Sequence, residues 1–407
     1  MSTATSCRYD RAAFKVRRCV AVSNRTIPYA RQDIDDADVK AVVEVLRGDW
    51  ITQGPSVPAF EKAVADKCGA RHAVALNSAT SALHVACLAL NVGPGDAVWT
   101  TPNTFVASAN CALYCGASID FVDIDPLTWC MSSAALRDKL EHARQHGKLL
   151  PKVVIPVHFG GQSCDMVALA ALATEYGFHL IEDASHAIGG RYRDGMVGSC
   201  RNCDITVFSF HPAKIVTSGE GGMALTNNGE LAARMARLRS HGITRDPGEM
   251  THTTDGPWYY QQIELGFNYR MTDIHAALGL SQMRRLDQFV ARRNLLAARY
   301  EAAFADVGVQ LQLLPADVLS ARHLYVIRVP SDRHAHAFAA LRASGIGVNL
   351  HYIPVHLQPW YLRMGFSAGQ FPEAERHYSE AISLPMFAAL ADAEQEQVIE
   401  AVKEAAA

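Results

Sequence analysis

The sequence predicts an α/β protein, with a large domain on a mostly parallel sheet followed by a smaller α+β domain. Three observations point there. Between Ile27 and about Arg285, short β-branched runs alternate with longer amphipathic stretches, the pattern of strands joined by helical crossovers. From about Val309 the alternation gives way to two strand-like and two helical stretches. Of the 407 residues, 49% are hydrophobic, which is ample for a large buried core.

Taken in order, strands are expected at Ala73–Asn77, Ala97–Thr100, Ser118–Val122, Val153–Val157, Leu180–Ile181, Ile205–Phe208 and Met223–Thr226. Met166–Tyr176 typifies the helices between them, with apolar residues at three- and four-residue spacing. One long helical pattern, Ala276–Phe304, is rich in Arg, Leu and Ala and bridges the two domains. Beyond it come a strand-like Leu324–Val329, a helix near His336–Ser344, a strand-like Val348–Tyr352 and a last helix from about Asp392. The expected division is a basic leader over 1–26, a large domain over 27–285, and a bridging helix with a small domain over 286–407. Repeats and low-complexity tracts are lacking.

Charge and composition narrow the function. With 38 basic and 41 acidic residues the net charge is −3, which favours neither nucleic acid nor an anionic membrane as partner. The most apolar stretch, Ala73–Val92, is broken by Asn77, Ser78, Thr80, Ser81 and His84, so no membrane span is expected. The first 26 residues carry Arg8, Arg11, Lys15, Arg17, Arg18 and Arg25 against Asp10 alone. The apolar run Cys19–Val22 is too short for a signal peptide, leaving a transit-type leader or a frayed tail. Ten scattered cysteines fit a reducing cytoplasm, the expected location. Cys111 with Cys115 and Cys200 with Cys203 form a weak zinc pattern, and buried thiols on an apolar helix are the commoner reading.

P-loop, GxGxxG and HExxH motifs are missing. Four segments carry chemistry instead, most of them near the ends of predicted strands, where open sheets bind ligands. FSFHPAK (208–214) runs into GEGG (219–222). There Lys214, if desolvated, suits an imine-forming amine, and Ser209 suits a phosphate. LIEDASH (180–186) ends an apolar strand in acids. A carboxylate there can keep a pyridine nitrogen protonated, or Asp183 can cap a helix. NSATSALH (77–84) has the small and hydroxyl residues of a helix N-terminus that can hold phosphate. GFNYRMTD (266–273) read alone is a turn and helix cap. Together the segments supply an amine, an acid and a phosphate cradle.

From about Ile27 onward the sequence resembles the sugar-nucleotide aminotransferases, pyridoxal 5'-phosphate (PLP) enzymes of fold type I in the aspartate aminotransferase superfamily. NSATSALH, TPNTFVAS, IEDASHAIGG, FSFHPAK, GEGG, GFNYRMTDI and LHYIPVHLQPWY carry the resemblance, in that order. It implies that Lys214 forms the imine with the cofactor and that Asp183 pairs with its ring nitrogen. It places His186 by the ring hydroxyl, Phe105 on the ring face, and Ala79, Thr80 and Ser209 at the phosphate. Ala79 stands where many relatives have glycine. Asn268 would reach the phosphate of a second subunit, implying a homodimer with shared active sites.

GDWITQGP (48–55), GSCRNCDITVFSFHPAK (198–214) and RSHGITRD (239–246) look most like the pseudaminic acid branch of that family. The resemblance implies transfer of an amino group from L-glutamate to C4 of UDP-2-acetamido-2,6-dideoxy-β-L-arabino-hex-4-ulose. The product would be UDP-4-amino-4,6-dideoxy-N-acetyl-β-L-altrosamine. Tyr29, Asp49, Trp50, Ile51, Thr52, Leu350, His351, Tyr352 and Ile353 would then touch the sugar nucleotide. Arg239, Arg245 and Arg270 are charge-compatible with its diphosphate, though each is more often a surface arginine. The alternatives are an aminotransferase for another keto sugar on dTDP or GDP, a dehydratase of the same fold, and a non-catalytic transcription regulator. Lys214 argues against the last two, since the dehydratases put histidine there.

Overall fold

The computed structural model describes residues 26–406; apart from Thr26, the basic segment 1–26 lies outside them. Seven strands form the main sheet: β1 (His72–Leu76), β2 (Ala97–Thr100), β3 (Ser118–Phe121), β4 (Val153–Ile155), β5 (His179–Asp183), β6 (Ile205–Ser209) and β7 (Gly222–Thr226). Their order is β1–β7–β6–β5–β4–β2–β3. β7 runs antiparallel to both its neighbours, and every other pairing is parallel. Both faces of such a sheet are covered, so β6 and β7 are buried along their whole length. Side-chain alternation sends Val74, Leu76, Val207 and Ala224 into one core and Ala75, Phe208, Met223 and Leu225 into another.

Helices α1 (Asp36–Arg47) and α2 (Ser56–Cys68) precede the sheet, and α3 (Ala79–Ala89), α4 (Ala107–Tyr114), α5 (Ser133–Gln145) and α6 (Met166–Tyr176) connect its strands. Their starts follow capping chemistry: Ser78, Ser132 and Asp165 each accept a first-turn backbone N–H. Gly177, at φ 76°, closes α6 in the left-handed conformation that glycine adopts without strain. After α7 (Gly229–Leu238) the chain reaches α8 (Asp273–Met283) and α9 (Leu286–Phe304).

The single long helix expected over Ala276–Phe304 is therefore two helices. At the break Arg285 leaves helical geometry (φ −104°, ψ 1°), and its guanidinium clamps Asp33, Asp35 and the fully buried Asp38 of α1. Hydrophobic spacing cannot register a polar anchor of this kind. Beyond α9, strands Gln310–Leu311, Tyr325–Arg328 and Ala381–Leu384 form an antiparallel sheet with its own core around Tyr300, Ile327 and Val398. Val348–Tyr352, expected as a strand, is instead irregular. Asn349 alone bridges Ser383, and the His351–Tyr352 peptide is cis.

Candidate active site

At the carboxyl ends of β1, β5 and β6 lies a cavity of about 480 Å³, where an open α/β sheet leaves room for a ligand. It gathers Tyr29, Ala79, Thr80, Phe105, Asp183 and His186 from the sequence-derived set. Ser209, Lys214, Leu350, His351 and Tyr352 line it too. Residues scattered over more than 300 positions thus meet in one place.

Lys214 follows β6 in a loop tied back on itself: its N–H donates to the His211 carbonyl, and Phe210 pairs with both Gly221 and Ser218. Burial pulls the amine down from 10.5 to about 8, while the charge of Asp183 opposes that fall. About a tenth of the amine is therefore neutral at pH 7, far more than for a free lysine, which suits an imine-forming nucleophile. Asp183 ends β5, nearly buried. Its Oδ2 accepts from Ser108 Oγ at 2.6 Å and its Oδ1 from the Ser185 N–H at 3.1 Å. Ser108, committed as donor, accepts from Thr104 Oγ1 at 2.8 Å. The main chain is pinned as well, by Pro156 on one side and His158 on the other. The carboxylate is thus held in one orientation by these bonds.

The start of α3 forms the third part. Ser78 spends its hydroxyl on the Ser81 N–H at 3.1 Å, which leaves first-turn amides at Ala79 and Thr80 available to an anion. Ser209 sits opposite Gly222 across β6 and β7. A Cβ on Gly222 would lie 2.4 Å from the Ala79 nitrogen, so glycine alone lets β7 pack against this helix terminus. Phe105 is 60% exposed at the cavity rim, its ring 6.5 Å from that of Tyr352. His186 is buried, with Nε2 3.1 Å from the Tyr352 hydroxyl. Desolvation first, then the Lys214 charge, pushes its imidazole well below its usual range, so it is neutral.

Other expected residues lie elsewhere on this chain. Asp49, Trp50, Ile51 and Thr52 are exposed beyond α1 and do not line the cavity, nor does the half-exposed Ile353. Asn268 is also exposed and away from it, bridging Ser240. Arg245 is exposed and Arg270 bridges Leu76; neither lines the cavity. Arg239 pairs with Glu61 and donates to the Ala75 carbonyl at 2.7 Å, so it anchors β1 rather than facing a diphosphate. Cys111 packs on Cys87, while Cys200 and Cys203 both contact Thr206 in a different region, so the two cysteine pairs are not brought together.

Among the lining residues given no role from sequence are Ser108, Thr104 and His323. Thr104 and Ser108 had a faint signal, two hydroxyls four apart beside the aromatic Phe105. His323 had none, being a lone histidine ahead of a strand.

A desolvated amine and a carboxylate in one cavity, with a helix terminus open to phosphate, fit what PLP-dependent aminotransferases require of a protein, and this chain is one. It belongs to the DegT/DnrJ/EryC1/StrS aminotransferase family, whose model matches residues 32–403. Among similar proteins is the spore coat polysaccharide biosynthesis protein SpsC of Bacillus subtilis, 39% identical over 94% of this chain and 97% of its own length. Similar solved structures include Spr1654 of Streptococcus pneumoniae in its PLP and PMP forms, with TM-score 0.84 and 29% identity over 94% of this chain and 98% of that one. Another is Helicobacter pylori PseC, an aminotransferase in pseudaminic acid biosynthesis, with TM-score 0.82 and 28% identity over 94% of this chain and 99% of that one.

Proposed function

We propose that the protein transfers an amino group from L-glutamate to C4 of UDP-2-acetamido-2,6-dideoxy-β-L-arabino-hex-4-ulose, giving UDP-4-amino-4,6-dideoxy-N-acetyl-β-L-altrosamine. The cytoplasm is the proposed setting. The observation that carries the chemistry is the Lys214 amine, lowered to about 8 by burial, in the same cavity as Asp183. The substrate rests on the GDWITQGP and RSHGITRD motifs and on likeness to PseC. A second reading, a different keto sugar on UDP, dTDP or GDP, draws support from the greater identity to SpsC.

In this reading Lys214 holds the cofactor and Asp183 faces its ring nitrogen. Ala79, Thr80 and Ser209 hold its phosphate, His186 sits by the ring hydroxyl and Phe105 covers the ring. When bound, PLP supplies an electron sink for the charge left by proton removal. The protein supplies proton control. Lys214 Nζ, free once the amino donor is bound, would take the proton from the α-carbon of glutamate and pass it on, and the reverse order would serve the sugar. Asp183, fixed by Ser108 and Ser185, keeps the ring nitrogen protonated throughout. Tyr29 and Leu350–Tyr352 face the substrate from the far wall, with Asp49–Thr52, Ile353 and Asn268 completing the site across a homodimer.

The test is incubation of the PLP-loaded enzyme and glutamate with a panel of 4-keto UDP, dTDP and GDP sugars, read by mass and by NMR of the amino sugar. The altrosamine product from the UDP substrate is expected. Turnover of a dTDP or GDP sugar with the UDP substrate untouched would overturn the substrate assignment.

A further inference from the structure

We propose that His323 is a positioning residue of this site, its Nε2 accepting a hydrogen bond from Lys214 Nζ and so aiming the amine and stabilising the ammonium it forms while carrying a proton. The inference rests on the reading that Lys214 is the proton-carrying amine. The two nitrogens are 3.5 Å apart. A lysine ammonium only donates, so Nε2 must present its lone pair and the ring proton must sit on Nδ1. That Nδ1 is buried with no hydrogen-bond partner. An unpaired buried donor costs stability, so the ring's position is not accounted for by its own bonding. Such exceptions gather where function demands them.

The surroundings enforce the neutral ring this role needs. His323 is 4% exposed, and desolvation first, then the Lys214 charge, pushes its imidazole well below its usual range. The ring of His186 lies 4.4 Å away, itself neutral and engaged with Tyr352. His351, at about 4, is neutral too. Asp183 is the anion acting on Lys214. Behind His323 the buried Arg293 donates to the carbonyls of Arg322, His323 and Met386, which fixes the backbone without touching the ring. Gly161 lets this segment pass close: a Cβ there would lie 3.0 Å from the His323 nitrogen.

The proton balance is simple. The Lys214 lone pair becomes an N–H bond when the donor's C–H bond breaks, and that N–H bond breaks when the new C–H bond forms. His323 gains and loses no proton; it accepts one hydrogen bond that strengthens when the amine is charged.

The experiment titrates Lys214 in cofactor-free protein by acylation with an N-hydroxysuccinimide ester from pH 6 to 10, reading the Lys214 peptide by mass spectrometry. The wild-type midpoint is expected near 8. His323→Leu should lower it by about one pH unit, because the ammonium loses its acceptor. His323→Gln, whose carbonyl can accept, should restore it. In the PLP-loaded enzyme, kcat of His323→Leu should fall about tenfold with KM little changed. An unmoved midpoint in His323→Leu, or no rescue by Gln, overturns the proposal. Nitrogen-15 NMR of the unmutated protein gives a check independent of variant folding: a ring proton on Nε2 overturns it as well. Borohydride reduction of the PLP-loaded wild type separates the two levels. A cofactor tag on another residue sinks the assignment of Lys214, whereas a tag on Lys214 with an unmoved midpoint sinks only the role of His323.

Discussion

At the scale of single residues, Lys214 and Asp183 act on each other's charge, and the balance has a sign that can be measured. The amine titrates near 8 in the fold, against 10.5 when free. Between those values the unfolded chain binds the extra proton, so this residue makes stability rise with pH from 8 upward. Below 8 both states are protonated and the cost of the buried charge is present in full. Cofactor-free Lys214→Met should therefore be more stable than wild type at pH 7, with the gap closing by pH 10, as read from urea midpoints. The same variant should lose turnover entirely with PLP supplied. Ser108→Ala tests the acid: it removes the 2.6 Å donor to Asp183 and should lower kcat about tenfold, with a loss of about 2 kcal/mol in urea unfolding because a buried carboxylate loses its donor. Lys214 and Asp183 were legible in sequence because Asp183 ends a strand and Lys214 lies in the loop that follows one, both at the ligand-facing edge of the sheet. Ser108 and His323 were not, because their partners are 75 and 109 positions away in the chain.

At the scale of elements, the site depends on two close approaches. β7 meets the start of α3 only because residue 222 is glycine. Gly222→Ala should push the helix terminus away and weaken PLP binding about tenfold, measured by fluorescence titration; a Cβ contact this short forces backbone to move. The second approach is α1 against the break between α8 and α9. There Arg285 faces Asp38, which is also bonded by Gln282. Arg285→Ala leaves a buried carboxylate without its cation and should cost about 3 kcal/mol in urea unfolding. Strand positions were readable within a residue or two because sheets buried on both faces show as continuous apolar runs. The α8–α9 break was not, because an ion-pair anchor leaves the hydrophobic pattern untouched, and the apolar spacing of Val348–Tyr352 did not reveal its irregular course.

At the scale of the whole molecule, large apolar side chains stand exposed at the cavity's rim and elsewhere on the surface. Phe105 is 60% exposed beside the cavity, and Trp50 and Ile51 are 61% and 52% exposed. Asn268 is exposed away from the cavity. Covering such apolar side chains is favourable, and in the proposed two-fold dimer one chain's exposed residues would reach its partner's cavity. The homodimer proposed above makes a prediction that a self-sufficient monomer cannot meet. Lys214→Ala alone should be inactive, and Asn268→Asp, placing a negative charge against the phosphate, should be nearly so. Mixing the two after mild dissociation should recover activity, because a hybrid dimer has one site free of both substitutions. Sedimentation of the wild type at twice the chain mass should accompany that recovery. If the mixture stays inactive while hybrids are shown by mass, Asn268 acts within its own chain and the sites are not shared.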